Sequence, residues 1–355
     1  MDLTYIFVHG LSGWGSYDEQ YKKRPYWGMG GGDLIHYLRR CGFICYAASV
    51  APSGSAWDRA CELYAQLAGT RTDYGIAHSK EYNHERFGPD FTGRPLIPVW
   101  NSDTRIVLLG HSFGGATIRL FGELLANGDP EEQKTENCSP FFAGGMGDRI
   151  HSIVTLAAPT NGTTAYDMSE DPSFDASAVK FSLFHRFLSR LVSNHTKIRM
   201  DERDVRDYAS YDMHIDNARA LNERIKTLPH VYYYAVPCSG TLAQPDGTHI
   251  PAENMEPMFY MRAKLMGMYS GTTRGGTVID SSWRENDGLV NTVSAMAPAN
   301  APYRAIDPLH IEPGIWNVWP TVYGDHMYLQ GGLMRKHDIR DFYIRLLQTI
   351  ESTRK

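Results

Sequence analysis

Short apolar runs alternate with segments of helical periodicity along most of this chain. Apolar runs predict buried β-strands at 5–8, 43–50, 105–109, 150–156 and 231–236. Apolar residues that recur every three to four positions predict helices at 33–40, 57–68, 116–125 and 339–350. Strands that alternate with helices predict an α/β fold with a doubly wound, mostly parallel sheet.

Residues 69–100 interrupt this alternation. The segment is polar, aromatic and rich in glycine and proline, and it is too long for an ordinary connection in a compact domain. It therefore predicts an inserted element that needs its own means of stabilisation. The chain has 355 residues and 42% hydrophobic content, which is enough for one domain over 1–355 that carries such an insertion.

Charge and cysteine content exclude several classes of function. The formal net charge is −5 with acids and bases interspersed, so no basic stripe suggests a nucleic-acid partner. The sequence contains no stretch of 18 apolar residues, so it predicts no membrane-spanning helix. The five cysteines form no CxxC pair, which favours free thiols over a disulfide framework. The first strand begins almost at once, so we expect either an intracellular protein or a mature form without its leader.

The segment Gly110-His111-Ser112-Phe113-Gly114 follows an apolar strand directly and precedes a helical pattern. Gly-x-Ser-x-Gly alone occurs often by chance, but strand, turn and helix in this order are what a nucleophile elbow requires. The two glycines leave room for a sharp turn. The pattern therefore predicts an α/β-hydrolase fold with Ser112 as its nucleophile.

Two backbone amides are candidate donors to an oxyanion. The sequence His9-Gly10-Leu11 follows the first strand, where many α/β-hydrolases place one donor. We expect the backbone N–H groups of Leu11 and Phe113 to serve together, because Phe113 directly follows the nucleophile and opens the helix.

An acid and a histidine are expected after the serine, in that order. Asp287, in Glu285-Asn286-Asp287-Gly288-Leu289-Val290, is the preferred acid. The alternatives for the acid are Glu285, Asp280 and Asp307, and the Asp-Gly pair is also typical of an ordinary turn.

His326 is the preferred base, because it lies in a loop well before the last helix. His310 and His337 are the alternatives, the first close behind the acid and the second next to the helix. The base would take the Ser112 proton and return it to the leaving alcohol.

Two histidines of the insertion, His78 and His84, follow Asp58 in the sequence. A closed zinc site needs four ligands, and the spacing alone also fits two surface histidines. A metal would explain how a poorly hydrophobic insertion stays folded.

Taken together, these segments resemble the zinc-containing lipases of thermophilic bacilli and staphylococci. The similarity covers most of the chain and is densest at 9–15, 26–28, 57–62, 73–75, 84–88, 285–294 and 325–326, together with His78 and Trp283. The motif within the insertion is more specific to this family than the nucleophile elbow is.

The resemblance implies a secreted carboxylic-ester hydrolase that acts on lipid-like acyl esters. It implies a triad, a pair of oxyanion donors and a structural zinc ion held away from the nucleophile. The implied residues are Ser112, Asp287 and His326 for the triad, Leu11 and Phe113 for the oxyanion, and Asp58, His78, His84 and Asp212 for zinc. The zinc-binding insertion would comprise about 53–100 with 205–216.

The chain also departs from this family. Phe113 stands where relatives often have Gln or Met, although only its backbone is needed. Relatives bind calcium through acids just past the catalytic histidine, whereas 327–334 contains no carboxylate, which argues against calcium.

The family's helical lid corresponds to about 165–204 and is shorter here. Its apolar residues recur every four positions, with two more beside them, at Val179, Leu183, Phe187, Leu191, Phe184 and Leu188. A smaller lid favours shorter esters or bulky polymer chains, and a helix packed permanently on the core is the alternative. Two further functions stay open, a polyester or short-chain esterase and an inactive hydrolase fold used for binding.

Overall fold

A seven-stranded parallel sheet lies at the centre of the molecule, in a computed structural model that describes residues 2–176 and 203–354. Its strands are β1 (Thr4–Val8), β2 (Ile44–Ala48), β3 (Ile106–His111), β4 (Ile150–Leu156), β5 (Tyr232–Val236), β6 (Tyr303–Ala305) and β7 (Trp316–Val318). The strand order is β6-β7-β5-β4-β3-β1-β2, and every adjacent pair is parallel. The predicted doubly wound α/β sheet is confirmed.

Helices and short strands surround this sheet. The helices are α1 (Glu19–Lys23), α2 (Leu34–Arg40), α3 (Ala56–Ala68), α4 (Ile76–Tyr82), α5 (Gly114–Asn127), α6 (Pro140–Ala143), α7 (Thr164–Glu170), α8 (Ala209–Asp212), α9 (Ile215–Arg224), α10 (Tyr260–Met266) and α11 (Arg340–Glu351). The two-stranded pairs are Arg71–Asp73 with Phe87–Asp90, Cys238–Ser239 with Val322–Tyr323, Thr241–Ala243 with His249–Pro251, and Gly271–Thr272 with Val278–Ile279.

The alternation of side chains along β1 shows how the core is divided. Ile6 and Val8 pack into the cluster that contains α3 and α5, whereas Tyr5 and Phe7 pack into the cluster that contains α2 and α11. Because helices cover both faces, the central strands are buried on both sides and read as unbroken apolar runs. Burial of both faces specifies the register of the strands. The register in turn positions the carboxyl ends of the strands, where the candidate site lies.

The structure adds detail that the pattern did not give. Strands β6 and β7 have three residues each and were not predicted, because so short a run carries no recognisable alternation. The predicted insertion at 69–100 contains an antiparallel strand pair and the helix α4. The lid prediction falls mostly outside the described residues, which contain α7 and resume at Arg203.

None of the helices within 2–176 and 203–354 is long and apolar enough to cross a membrane. The five cysteines are free thiols, and three of them, Cys45, Cys61 and Cys238, are buried.

Candidate active site and metal centre

Ser112 lies in a sharp turn between the end of β3 and the start of α5. Its φ is +54°, in the left-handed region that a non-glycine residue adopts only under local constraint. A Cβ at Gly110 would stand 2.3 Å from the carbonyl oxygen of Gly114, and one at Gly114 would stand 2.4 Å from that of Val8. Only glycine fits at either position, and the turn sets the serine at the carboxyl edge of the sheet.

A chain of hydrogen bonds joins Ser112 to a histidine and a carboxylate. Ser112 Oγ lies 2.8 Å from His326 Nε2, and His326 Nδ1 lies 2.8 Å from Asp287 Oδ2. Asp287 Oδ1 accepts the N–H groups of Leu289 (3.0 Å) and Val290 (2.8 Å), which leaves Oδ2 for the imidazole. The backbone N–H of His326 also donates to the carbonyl of Asp287 at 2.9 Å. The arrangement can therefore carry a proton between serine and imidazole without rearrangement.

The alternatives for acid and base lie elsewhere. Asp307 is bonded to His310 on the surface, at 2.8 Å. Asp280 is exposed and caps a turn through the N–H of Ser282. The ring of His337 packs on Tyr328 with centroids 4.5 Å apart. In the described residues no bond joins any of these side chains, or that of Glu285, to Ser112 or to the ring of His326.

A second layer of polar groups holds the histidine from behind. His111 Nε2 lies 3.0 Å from the carbonyl oxygen of His326, and its Nδ1 lies 2.8 Å from the hydroxyl of Tyr26. Gln330 bonds to both His111 and Tyr26. Burial holds the pKa of His111 well below its usual range, so the ring is neutral at neutral pH. A neutral ring donates from only one nitrogen, and the carbonyl of His326 requires that donor at Nε2.

The loop after β1 approaches the serine closely. A Cβ on Gly10 would stand 2.8 Å from Ser112 Cβ, and the N–H of Gly10 donates to Tyr26 Oη at 3.0 Å. His9 Nδ1 lies 2.8 Å from the carbonyl oxygen of Gly10, and burial lowers the pKa of His9 to about 3. Within the described part of the chain, the N–H groups of Leu11 and Phe113 donate no hydrogen bond to protein atoms. Both predicted oxyanion donors are therefore available.

Arg59, on α3, is a buried cation next to this loop. Its guanidinium donates to the carbonyl oxygens of His9 and Gly10, the latter at 3.4 Å from Nη1. Its Cζ lies 5.1 Å from the centre of the Phe113 ring. Burial lowers the pKa of Arg59 to about 10, which keeps the group charged at neutral pH. Arg59 could not be identified from the sequence, because nothing in the hydrophobic pattern shows that this helix residue reaches the loop.

A second group of aspartates and histidines lies between α3 and the insertion. The ligand atoms of Asp58, His78, His84 and Asp207 all lie within 4.8 Å of one another. His78 Nε2 is 3.4 Å from Asp58 Oδ1 and 3.3 Å from Asp207 Oδ1. His84 Nε2 is 3.3 Å from Asp207 Oδ2. We call these four residues the Asp–His cluster.

The chemistry of the Asp–His cluster fits a metal ion. Four buried atoms lack a hydrogen-bond partner and converge on one point: Asp58 Oδ1, His78 Nε2, His84 Nε2 and Asp207 Oδ1. Orphaned polar atoms are costly to bury, and two carboxylates with two imidazoles form a ligand set that zinc accepts. His84 Nδ1 bonds the carbonyl of Glu85 at 2.9 Å, and the ring of His78 stacks on Trp57, which orients both imidazoles.

The fourth member of the cluster corrects the sequence prediction. Asp212 was expected there, but Asp207 occupies the position. Asp212 Oδ2 instead accepts the N–H of Ala56 at 2.7 Å, in the first turn of α3. Asp207 ends a 3₁₀ turn, Val205–Asp207, which directs it to the histidines, whereas Asp212 is the last residue of the short helix α8. Asp207 and Asp212 are five residues apart, and this spacing does not indicate which of the two carboxylates points toward the histidines.

Glu256 was also missed, and it fastens the loop that follows the candidate base. Its Oε1 accepts the N–H groups of Leu333 (2.9 Å), Met334 (2.6 Å) and Arg335 (2.8 Å). Its own N–H donates to Asp325 Oδ2 at 2.7 Å, next to His326. Burial raises the pKa of Asp325. We call this arrangement the Glu256 clasp.

Comparisons with known proteins show which proteins this chain is similar to. The family described as "Lipase-like, C-terminal domain" matches residues 2–201 and 194–353. Lipase 2 of Staphylococcus aureus is 32% identical over 358 residues, which cover 91% of this chain and 49% of that protein. The lipase of Staphylococcus hyicus is 32% identical over 370 residues, which cover 96% of this chain and 56% of that protein. The chain spans about half the length of these curated relatives.

Solved structures are similar over the whole chain. EstA from Clostridium botulinum gives a TM-score of 0.83 with 30% identity, and covers 99% of this chain and 87% of its own. The Staphylococcus hyicus lipase structure gives a TM-score of 0.80 with 28% identity, and covers 99% of this chain and 97% of its own. Both similarities extend across the sheet, the insertion and the loop that carries His326.

Proposed function

The chain belongs to the family of lipase-like C-terminal domains, and we propose on this basis that it is a serine-dependent carboxylic-ester hydrolase. One observation carries the proposal: Ser112, His326 and Asp287 form a continuous hydrogen-bonded series, with 2.8 Å at each step. This is the geometry that an activated serine nucleophile needs.

In the proposed acylation, Ser112 Oγ attacks the ester carbonyl carbon while His326 Nε2 removes its proton. Asp287 accepts the Nδ1–H bond of the ring, so it fixes the tautomer and stabilises the imidazolium that forms. The carbonyl oxygen becomes an oxyanion, which accepts hydrogen bonds from the backbone N–H groups of Leu11 and Phe113. The intermediate then collapses, the bond to the alcohol oxygen breaks, and His326 gives its proton to the leaving alcohol.

In the proposed deacylation, a water molecule takes the place of the alcohol. His326 removes a proton from the water as its oxygen attacks the acyl carbon. The second intermediate collapses with cleavage of the bond to Ser112 Oγ, which recovers its proton from His326. The products are a carboxylic acid and the free enzyme.

We also propose that Asp58, His78, His84 and Asp207 hold a zinc ion. Arg203 already pairs with Asp58 (2.8 Å) and Asp207 (3.5 Å), and a bound ion would complete the neutralisation of the two carboxylates and tie α3 to the insertion and to the segment at 203–207. The support is the convergence of four unpartnered buried atoms. All four positions of a tetrahedral ion would be filled by side chains, which is typical of a structural site.

The proposed substrates are acyl esters of lipids, in keeping with the lipases among the relatives. A short-chain or polyester esterase is the second candidate, favoured by the similarity to a structure named EstA. An extracellular place of action is part of the proposal and follows from the family resemblance alone.

A fluorophosphonate probe tests the nucleophile. We expect covalent labelling of the wild-type protein and none of Ser112→Ala, with Ser282→Ala, an exposed serine in a turn, as a labelled control. Hydrolysis of p-nitrophenyl esters of increasing chain length, beside an emulsified triglyceride, then separates lipase from short-chain esterase. Absence of labelling in the folded wild type would refute the proposed hydrolase activity and favour an inactive hydrolase fold used for binding.

A further inference from the structure

Arg59 contacts both halves of the oxyanion site that the proposed function requires. Its guanidinium donates to the carbonyls of His9 and Gly10, directly before Leu11, and it lies over the ring of Phe113. We propose that Arg59 is a positioning residue, which holds both backbone donors in the orientation that directs their N–H groups at the oxyanion. This inference rests on the proposed function and deepens it.

The connection through the peptide group is direct. The carbonyl oxygen of Gly10 and the N–H of Leu11 belong to one planar trans peptide, so they point in opposite directions. Arg59 Nη1, at 3.4 Å, and His9 Nδ1, at 2.8 Å, both lie at that oxygen. While these two groups hold the carbonyl on the side of α3, the N–H of Leu11 must face away from α3. A carbonyl that accepts from a cation also polarises its amide, which makes the N–H a stronger donor.

The second donor is held by packing. Phe113 is fully buried at the start of α5, and the Arg59 guanidinium lies over its ring at 5.1 Å. A guanidinium over an aromatic face is an attractive contact, and it restricts the ring. One side chain therefore fixes the relative position of two donors from distant parts of the sequence.

The surroundings of Arg59 argue against a purely structural ion pair. The residue is 0% exposed, and the charge of Glu62 on the same helix favours its charged form, but the described residues contain no ion pair between Arg59 and a carboxylate. Its hydrogen bonds go to the carbonyls of His9 and Gly10 alone. A fully buried guanidinium is costly even with a carboxylate nearby, and all of its hydrogen bonds go to the loop, so a cation at this position is better explained by what it does to the loop.

Arg59→Met tests this role, with Arg119→Met as the matched control. Arg119 is also a buried arginine (3% exposed); it donates to Asn222 and lies over the Trp316 ring, so it matches Arg59 except for the loop contacts. The readouts are kcat and KM for p-nitrophenyl butyrate and Ki for a trifluoromethyl ketone. Ser112 Oγ bonds to the ketone carbon and His326 takes the serine proton, which leaves an oxyanion in the site.

We expect Arg59→Met to lower kcat by roughly 10- to 100-fold and to raise Ki by a similar factor, with KM changed little. Arg59→Lys should recover part of both losses, because an ammonium can still reach one carbonyl. Arg119→Met should unfold at a lower temperature but keep kcat and Ki within about twofold when folded.

Two results would overturn the inference. One is an Arg59→Met protein, folded by circular dichroism, with kcat and Ki within twofold of wild type. The other is an Arg119→Met protein in which kcat falls and Ki rises by the same factors as in Arg59→Met. If Arg59→Met does not fold, the same comparison between Arg59→Lys and Arg119→Lys decides. A wild type that no fluorophosphonate labels refutes the proposed function, whereas an active wild type with silent Arg59 variants refutes only this inference.

Discussion

The two aspartate–histidine arrangements of this molecule differ in how their polar atoms are satisfied. At the serine site every side-chain atom of the series has a partner in the chain, and Asp287 Oδ1 accepts two further N–H groups. In the Asp–His cluster four buried atoms face one another without a hydrogen-bond partner. The same residue types therefore make a network that is complete by itself in one place and a ligand set in the other.

The supporting structure differs in the same way. The serine site lies on the carboxyl edge of a sheet whose central strands are buried on both faces. The cluster joins α3 to α4 and to loops around short strands, and Phe87, in one of those strands, is 45% exposed. Packing can hold the first arrangement, whereas the second needs an additional bond to hold its parts together.

Asp287→Asn gives the largest expected effect. An amide at this position cannot hold the His326 tautomer that accepts the serine proton, so we expect kcat for p-nitrophenyl butyrate to fall by about 10⁴-fold. Asp280→Asn, which changes an exposed turn aspartate, should keep near-wild-type kcat. A tenth or more of wild-type activity in Asp287→Asn would show that the series is not catalytic and would remove the distinction between the two sites.

Metal removal should act on stability before it acts on chemistry. We expect a chelator to lower Tm by about 5–10 °C, because it takes away a ligand that binds only the folded state. Zinc added back should restore Tm, and ester hydrolysis at low temperature should persist. Elemental analysis of protein purified without chelator supplies the check. A protein that carries no metal and shows no shift in Tm contradicts the proposed zinc site.

Asp207→Asn and Asp212→Asn separate the observed ligand from the one expected from sequence. We expect Asp207→Asn to lose zinc and to show a Tm that chelator no longer changes. Asp212→Asn should retain one zinc per chain and lose about 1 kcal/mol through its weakened cap on α3. The reverse pattern of metal retention would restore Asp212 as the ligand.

A pH effect from Glu62 is the smallest of these effects. Burial raises the pKa of Glu62 to about 7 from an ordinary value of 4.5, so between these values the folded state holds a proton that the unfolded state has lost. The free energy of unfolding should therefore decrease as pH rises from about 4.5 to about 7. Glu62→Gln should remove this decrease. In chelator, we expect the change in Tm between pH 5 and pH 8 to differ between the two proteins by about 2–5 °C. Equal changes in Tm for the wild type and Glu62→Gln would show that Glu62 is ionised over the whole range from pH 5 to pH 8.

The structure brings together the three residues that the sequence proposed for the serine site, and the elbow around Ser112 was the part with the clearest pattern. Ser112 directly ends an apolar strand, and the carboxyl ends of parallel strands share one edge of a sheet. The order of the triad left several acids and histidines after Ser112, among which Asp287 and His326 were preferred from their local sequence and from the family resemblance. Position along the chain narrowed the choice of acid and base but did not decide it, because several candidates lie in loops after the serine.

The Asp–His cluster shows where such reasoning stops. The resemblance implied four ligands, and three of them lie in the cluster, whereas Asp207 stands in the place expected for Asp212. The direction of a side chain in a 3₁₀ turn depends on local dihedral angles, which hydrophobic periodicity does not report. Arg59 and Glu256 were missed for a related reason, because each acts on backbone groups far away in the sequence.

The Glu256 clasp has a consequence in terms of concentration. A bound ion stabilises a loop only to the extent that free ion is present, so its effect is lost on dilution or chelation. Glu256 is covalently part of the chain, and its carboxylate is present at the N–H groups of Leu333, Met334 and Arg335 at a fixed effective concentration. The loop after His326 therefore keeps its anchor in a medium stripped of cations, even where the insertion has lost its own.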